Sequence, residues 1–322
     1  MLLAGDVGGT KTLLGLFEAA SPRPRPVATR EFATLEYPDL AAIVARFTSD
    51  AIVKDAAVGA ACFGVAGPIV GDRAQLTNVP WAVDARQIAS LFGFGRVSLL
   101  NDLQAMAYGV TVLEPAELHV LQPGRPGANG NRALIAAGTG LGQALLHRVN
   151  GRFVPSPTEA GHADFAARTE REIRLVQALT ARFGRVDVER VVSGHGLVNI
   201  HAAVGAGACA AGIDLREPDA PPAISASAMA GRCPACVEAL SLFVEAYGAE
   251  AGNLALRSVA TGGVFVGGGI APKILPALEE GSFLRAFGAK APLEALLAAI
   301  PVSVILNPQA GLLGAAVYAA GA

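Results

Sequence analysis

The chain has 322 residues, 52% of them hydrophobic, enough for two domains of about 100 to 200 residues each around a large buried core. With 25 Lys+Arg against 27 Asp+Glu the formal net charge is −2, and no basic run of the kind that tracks a nucleic-acid backbone is present, so nucleic acid is not an expected partner. MLLAG has no positive lead and its apolar run stops at Asp6, while the longest uncharged window, 191–213, is broken by Ser193, His195, Asn199, His201 and five glycines; neither a signal peptide nor a membrane span is expected, and the protein reads as soluble and cytoplasmic.

In chain order, LLAGDV, TLLGLFE and PVATREFAT read as strands, with the proline-rich SPRPRP (21–26) as the hairpin loop between the second and third. A helix DLAAIVARFTSDAIV, a strand AAVGAACFGVAG, a helix over 84–92 and a strand VSLL complete an alternating α/β order. From about residue 132 the layout restarts: RALIAAGTGLGQALLHRV is an apolar strand, a Gly/Thr turn and a second strand, and GRFVPS supplies a third. This weak repeat places Gly9-Thr10 over Gly138-Thr139. Helices follow over 168–183, 188–204 and 233–259, then a strand VFVGGGI, further helices, a strand VSVIL and a closing helix AGLLGAAVYAA. The pattern predicts two α/β halves, each built on a Gly/Thr hairpin, with helical insertions in the second.

The first turn, GDVGGTKT (5–12), admits two readings. Glycine lets backbone N–H groups swing toward an anion and threonine adds a hydroxyl donor, so GGT suits a phosphate cradle; it equally suits a tight hairpin. The hairpin reading leaves Asp6 unexplained, whereas an acid beside phosphate calls for a cation between them, and Mg²⁺ is the natural one. The chain has no Gly-Lys dipeptide and hence no Walker A loop, and GTGLGQ (138–143) is not the dinucleotide GxGxxG; GAGACA (205–210) approximates that fingerprint but is discounted as helical. NDLQA (101–105) follows a strand and opens a helix, which fits N-capping or a carboxylate, Asp102, placed as a general base with Asn101 donating beside it. Glu159 and His162, three apart, share one side of a helical turn; a di-iron bundle would need a second such pair, but a carboxylate plus an imidazole suits vicinal hydroxyls.

Other residues carry plainer expectations. His195 and His201 read as structural, Trp81 as either core or a neighbour of a ligand entrance, and Lys11 as either a phosphate contact or a surface charge. Cys233 and Cys236 of CPAC have the spacing of a redox or half-zinc motif, but a zinc site needs further ligands, and Cys62 and Cys209 stand alone in apolar sequence. Reduced, structural thiols are expected.

Taken together, GDVGGTKT, AGTGLGQ (137–143) and VGGGIAPKI (266–274) resemble, in order and spacing, the phosphate-1, phosphate-2 and adenosine segments of the actin-like ATPase and sugar-kinase superfamily. LTNVPW (76–81), LLNDLQAMAYG (99–109), EAGHADFA (159–166), VERVVSGHGLVNI (188–200) and NPQAGLLGAAVY (307–318) resemble the bacterial glucokinase family, over essentially the whole chain. The resemblance implies two actin-like, ribonuclease H-like domains around a central cleft: a small one of residues 1–112 plus 302–322, and a large one of 113–301 carrying the helical insertions, closing on the sugar. It implies ATP-dependent phosphorylation of glucose at the 6-hydroxyl, with Asp102 as base and Asn101, Glu159, His162 and Glu189 on the sugar. Gly5, Asp6, Val7, Gly8, Gly9 and Thr10 would face Mg²⁺ and the β/γ-phosphates, Asp6 attending the metal through water; Gly138, Thr139 and Gly140 would form the second clasp, and Gly267, Gly268 and Gly269 would pass the adenosine. Family members are commonly homodimers.

Two departures stand out. Ala160 replaces the first glycine of the family's EGGH, which bears on the shape of the sugar loop, and DFAA (164–167) lacks its usual proline. The nearest rival is a same-fold kinase for mannose, fructose or an N-acetylhexosamine, although the cysteine-rich zinc motif usual in the broader repressor and sugar-kinase family does not follow His162. A sugar-responsive repressor would need a helix-turn-helix ahead of Gly5, where only four residues stand, and a non-catalytic sugar sensor would not need both Asp6 and Asp102.

Overall fold

The computed structural model describes residues 1–54, 56–77, 79–127, 129–205 and 209–321. LLAGDV forms β1 (Leu2–Val7) and KTLLGLFE forms β2 (Lys11–Glu18), paired antiparallel from Leu2↔Phe17 to Val7↔Thr12. After β3 (Arg25–Ala33) comes α1 (Leu40–Thr48), started by Asp39, whose carboxylate accepts the Ala42 amide at 2.7 Å. β4 (Ala60–Val65) lies parallel to β1, and short strands β5 (Ile69–Val70), β6 (Arg73–Gln75) and β7 (Ala82–Asp84) form a separate small sheet. α2 (Ala85–Phe92), capped by Asp84, leads to β8 (Arg96–Asn101) and α3 (Asp102–Val110). The main sheet runs β3-β2-β1-β4-β8.

The second unit opens with β9 (Leu118–Gln122) and the hairpin β10 (Arg132–Ala137) and β11 (Leu141–Val149); in β12 (Arg152–Thr158), which comes next, Phe153–Pro157 belong to the first unit. Four helices follow: α4 (Glu170–Phe183), α5 (Gly194–Val204), α6 (Ala220–Met229) and α7 (Pro234–Ser258). Then come β13 (Gly263–Gly267), α8 (Leu275–Glu279), α9 (Ser282–Gly288), α10 (Glu294–Ala299) and β14 (Val302–Ile305). The sheet order is β12-β11-β10-β13-β14-β9. β13 is buried along its whole length, as a strand covered on both faces must be, and α7 fills one side of the core with Phe243, Tyr247 and Leu254. The last helix, α11 (Ala310–Ala319), belongs to the first unit.

One unit comprises Met1–Glu114, Phe153–Pro157 and Asn307–Ala322, the other Pro115–Arg152 and Thr158–Leu306. The expected boundary at 302 is therefore corrected to 307: Val302 and Val304, fully buried, pair β14 with β13 and β9 and complete the six-stranded sheet. The helix expected over 188–204 begins only at Gly194, and α6 is not among the expected helices; its Pro221 and Pro222 sit in the first turn, where a missing N–H costs nothing. GAGACA is not helical at Gly205 or Cys209, since α5 ends at Val204; its residues 206–208, like Asn78 of LTNVPW, lie outside the described residues. Among the described residues no helix is long and apolar enough to cross a membrane.

The period-two alternation of β1 decides where the chemistry points. Leu3 and Val7 face the core that includes α1, whereas Leu2 and Ala4 face the one that includes residues of α3 and α11, and Asp6 shares that second face. α3 and α11 run backbone against backbone there, because Cβ atoms on Gly109 or Gly314 would overlap the Ala310 and Ala105 carbonyl oxygens.

Candidate active site

In the first unit the structure brings Asp6 and Asp102 together. Asp6 keeps some accessible surface, but its carboxyl lies deep among protein atoms, and its pKa is pushed up to about 6 by burial first and by the Asp102 carboxylate second, against the pull of Lys11. A Cβ on Gly311, in the first turn of α11, would come within 2.7 Å of Asp6 Oδ2, so a glycine is required beside this acid. Gly64 plays the same part for α3: a Cβ there would lie 2.8 Å from Ala105 Cβ, so its absence lets the start of α3 settle against β4. Asn101 caps that helix, its Oδ1 accepting the Leu103 amide at 3.0 Å, which leaves its Nδ2 hydrogens for other work. Asp102 stands in the first helical turn, where the helix dipole favours an anion.

The first Gly/Thr turn is shaped from behind. Gly8 N–H donates to the Lys11 carbonyl at 3.0 Å, and Thr34, a buried residue that sequence reasoning missed, donates its hydroxyl to the Gly8 carbonyl at 2.9 Å and its amide to Thr10 O at 3.0 Å. Gly9 and Thr10 are left at the accessible tip. Gly5 and Val7 are paired strand residues, and the place of a Gly5 Cβ is taken by the Phe63 ring; their part is to position Asp6 and the turn. Lys11 ends in an exposed ion pair with Glu31 at 3.1 Å, and Trp81 is core, packed with Leu76 and Val79.

In the second unit the segments bearing Glu159, His162 and Glu189 lie side by side. The Glu189 and Val188 amides donate to the Gly161 and Ala163 carbonyls, each at 2.9 Å, and His162 Nδ1 stands 3.6 Å from Asp187 Oδ2. Glu159 and His162 are exposed. Glu189 is not an exposed helix charge: it sits in the turn before α5, and its Oε2 accepts the Leu141 amide at 2.8 Å. A Cβ on Gly140 would come within 2.5 Å of that oxygen, so Gly140 makes room for the Glu189 carboxylate. The change at Ala160 is absorbed, since Ala160 lies in a short 3-10 turn at ordinary φ, and the glycine that cannot be replaced is Gly161, whose Cβ would overlap the Leu141 carbonyl oxygen.

The other two glycine turns close around a cavity of about 400 Å³ whose wall includes Gly138, Thr139, His195, Pro221, Gly269 and Lys273. Gly138 accepts the Gly194 amide at 2.8 Å and Ile270 N–H donates to Ala137 O at 3.2 Å. Gly268 sits at φ +83° with the Ala137 carbonyl where a Cβ would go, so only glycine fits, while Gly267 ends β13. Open space lies where Cβ atoms on Gly138 and Gly269 would point. His195, expected to be structural, is instead an exposed residue of this wall, and Lys273 adds a cation that sequence reasoning missed; the flanking glycines of SGHG are the signal that His195 sits on an accessible turn.

Comparison with known proteins shows the family. The sequence model of the family described as Glucokinase matches residues 3–322. A glucokinase of Nostoc punctiforme is 40% identical over 339 residues, covering 99% of each chain, and one of Stenotrophomonas maltophilia is 38% identical over 328 residues, covering 100% of this chain and 95% of that one. Among solved structures, a glucokinase from an Antarctic psychrotroph matches with a TM-score of 0.87 at 30% identity, covering 100% of this chain and 99% of that one. A glucokinase of Balamuthia mandrillaris in complex with glucose shares the fold, with a TM-score of 0.80 at 24% identity over 100% and 93% of the two chains. The chain belongs to the glucokinase family, with the actin-like ATPase fold and the ATP-dependent phosphorylation of glucose that go with it.

Proposed function

We propose that Asp102 is the general base for glucose phosphorylation in this chain, taking the proton of the 6-hydroxyl as its oxygen attacks the γ-phosphorus of MgATP and ADP leaves, to give glucose 6-phosphate. The observation that carries the reading is the carboxylate pair: burial first and the neighbouring Asp102 carboxylate second push the Asp6 pKa up to about 6, a strain that a cation relieves. The donor set fits Mg²⁺, because a hard carboxylate oxygen kept clear by Gly311 is what that ion takes, and Asp6 would hold it directly or through water. When bound, Mg²⁺ supplies neutralisation of charge on the β- and γ-phosphates.

The remaining work falls to the chain itself. The Gly8-Gly9-Thr10 tip and the Gly138-Thr139 turn offer N–H and hydroxyl donors to phosphate oxygens, and the cavity between Thr139, Gly269 and Lys273 suits the nucleoside. Asn101 through Nδ2, Glu189 through the oxygen not bonded to Leu141, and the exposed Glu159 and His162 offer both donors and acceptors to a hexose. Homodimer assembly and a cytoplasmic setting belong to the same reading and rest on the likeness to glucokinases.

A coupled ADP-release assay with MgATP across a panel of hexoses tests the reading. Glucose is expected to give the highest kcat/KM; no ADP release with any hexose would overturn the kinase assignment, and a preference for mannose or N-acetylglucosamine would change the substrate alone.

A further inference from the structure

We propose that His201, Cys209, Cys233 and Cys236 bind one Zn²⁺ in a closed Cys3His site that fastens the end of α5 to the start of α7. The expectation that Cys209 stands alone is overturned by the fold: one ligand atom from each of the four residues lies within 4.8 Å of the other three. Cys209 Sγ is 3.7 Å from Cys233 Sγ and 3.8 Å from Cys236 Sγ. Tetrahedral zinc with Zn–S bonds of about 2.3 Å spaces its sulfurs about 3.8 Å apart, whereas a disulfide would need about 2.0 Å.

The imidazole supplies an independent observation. His201 is 2% exposed, and neither ring nitrogen has a hydrogen-bond partner, although the Cys233 thiol is its near neighbour. An unpaired buried polar group costs on the order of 1–3 kcal/mol, and apolar packing gives no reason to aim a histidine at three thiols. Metal ligation removes that cost. Cys233 and Cys236 are 1% and 0% exposed, too enclosed for the thiol exchange that a redox CxxC pair performs. Three thiolates and an imidazole in tetrahedral array select zinc over the hard cations Mg²⁺ and Ca²⁺.

The local sequence builds the site from three places. Cys233 is the N-cap of the 25-residue α7 and Cys236 lies in its first turn; His201 is in the last turn of α5, and Cys209 comes from the segment after it. Four protein ligands leave no open position, so the ion is structural. The other end of α5 carries Gly194, His195 and Leu197 on the wall of the 400 Å³ cavity, so the metal anchors a helix that shapes that cavity.

Metal analysis of the full chain, expressed with zinc in the medium, tests the proposal without reference to catalysis. One zinc per chain is expected, with loss of that zinc in Cys209→Ser and in Cys233→Ser and retention in Cys62→Ala, whose thiol lies in the other unit. Because a cysteine variant can fail to fold, the wild type is also stripped with a chelator and titrated with Co²⁺. A one-to-one endpoint with thiolate charge-transfer bands, and a Tm that falls by several degrees on stripping and returns with zinc, supports the site. A wild type that carries no zinc and takes up no Co²⁺, or that is isolated with a Cys233–Cys236 disulfide, overturns it.

Discussion

The hairpins β1–β2 and β10–β11 share one construction: each is antiparallel around a Gly/Thr turn, and the leading strand of each lies parallel to a later strand, β4 in one and β13 in the other. Asp6 pairs with Gly64 in the first, and the matching residue of the second, Ala136, pairs with Gly267. The difference is the charge. The first hairpin keeps a carboxylate one residue before its last strand position, so its turn suits a phosphate with a cation attached; the second has a methyl there, so its turn can approach a phosphate directly. The second unit takes its carboxylate from elsewhere, as Glu189 reaches in to hold the Leu141 amide just beyond the turn. A repeated backbone thus carries a carboxylate in one copy and a methyl in the other.

Removing the acid from the first hairpin is expected to have the largest effect. Asp6→Asn should lower kcat on the order of 10³-fold or more, because it withdraws the carboxylate charge proposed above to hold Mg²⁺. The same variant should be more stable than the wild type without ligands. The folded Asp6 pKa of about 6 lies above the ordinary 3.8, so between those values the folded state binds the extra proton, and rising pH through that window destabilises the wild type alone. Allowing for the solvent that reaches Asp6, the difference at pH 7.5 should be about 1–2 kcal/mol and should vanish near pH 4. Urea unfolding of both proteins at the two pH values measures it, and a wild type that gains on the variant as pH rises would break the comparison.

The imported carboxylate comes next. Glu189→Gln keeps an acceptor for Leu141 and should raise the KM for glucose about tenfold with kcat little changed, whereas Glu189→Ala also orphans that amide and should cost about 1–3 kcal/mol of stability. Steady-state kinetics and thermal unfolding separate the two effects. The smallest change is expected at Lys11→Met: its partner is Glu31 in an exposed pair, so stability should move by less than about 1 kcal/mol and turnover by less than about threefold. A larger loss of ATP affinity would assign Lys11 to phosphate.

Much of the fold and of the candidate site is legible in the sequence alone. Glycine-rich turns after apolar strands are local signals, and an acid beside one of them points to a metal with no knowledge of the fold. What is not legible arrives through tertiary approach. Gly311 comes to Asp6 from the other end of the chain, Thr34 bonds the first turn from the third strand's end, and Gly140 serves Glu189, a carboxylate from a later segment. His201 and Cys209 are uninformative alone and come together with Cys233 and Cys236 only where α5 and α7 meet. The misplaced strand β14 has the same origin, since edge and centre of a sheet are indistinguishable in VSVIL until its neighbours are known.

The most direct measurement takes Asp102→Ala through turnover and equilibrium glucose binding in the same preparation. The division of labour predicts that kcat falls by about 10²- to 10⁴-fold, as for loss of a general base, while glucose affinity stays within about tenfold of the wild type. Turnover close to the wild-type value would contradict it and remove Asp102 from the reaction.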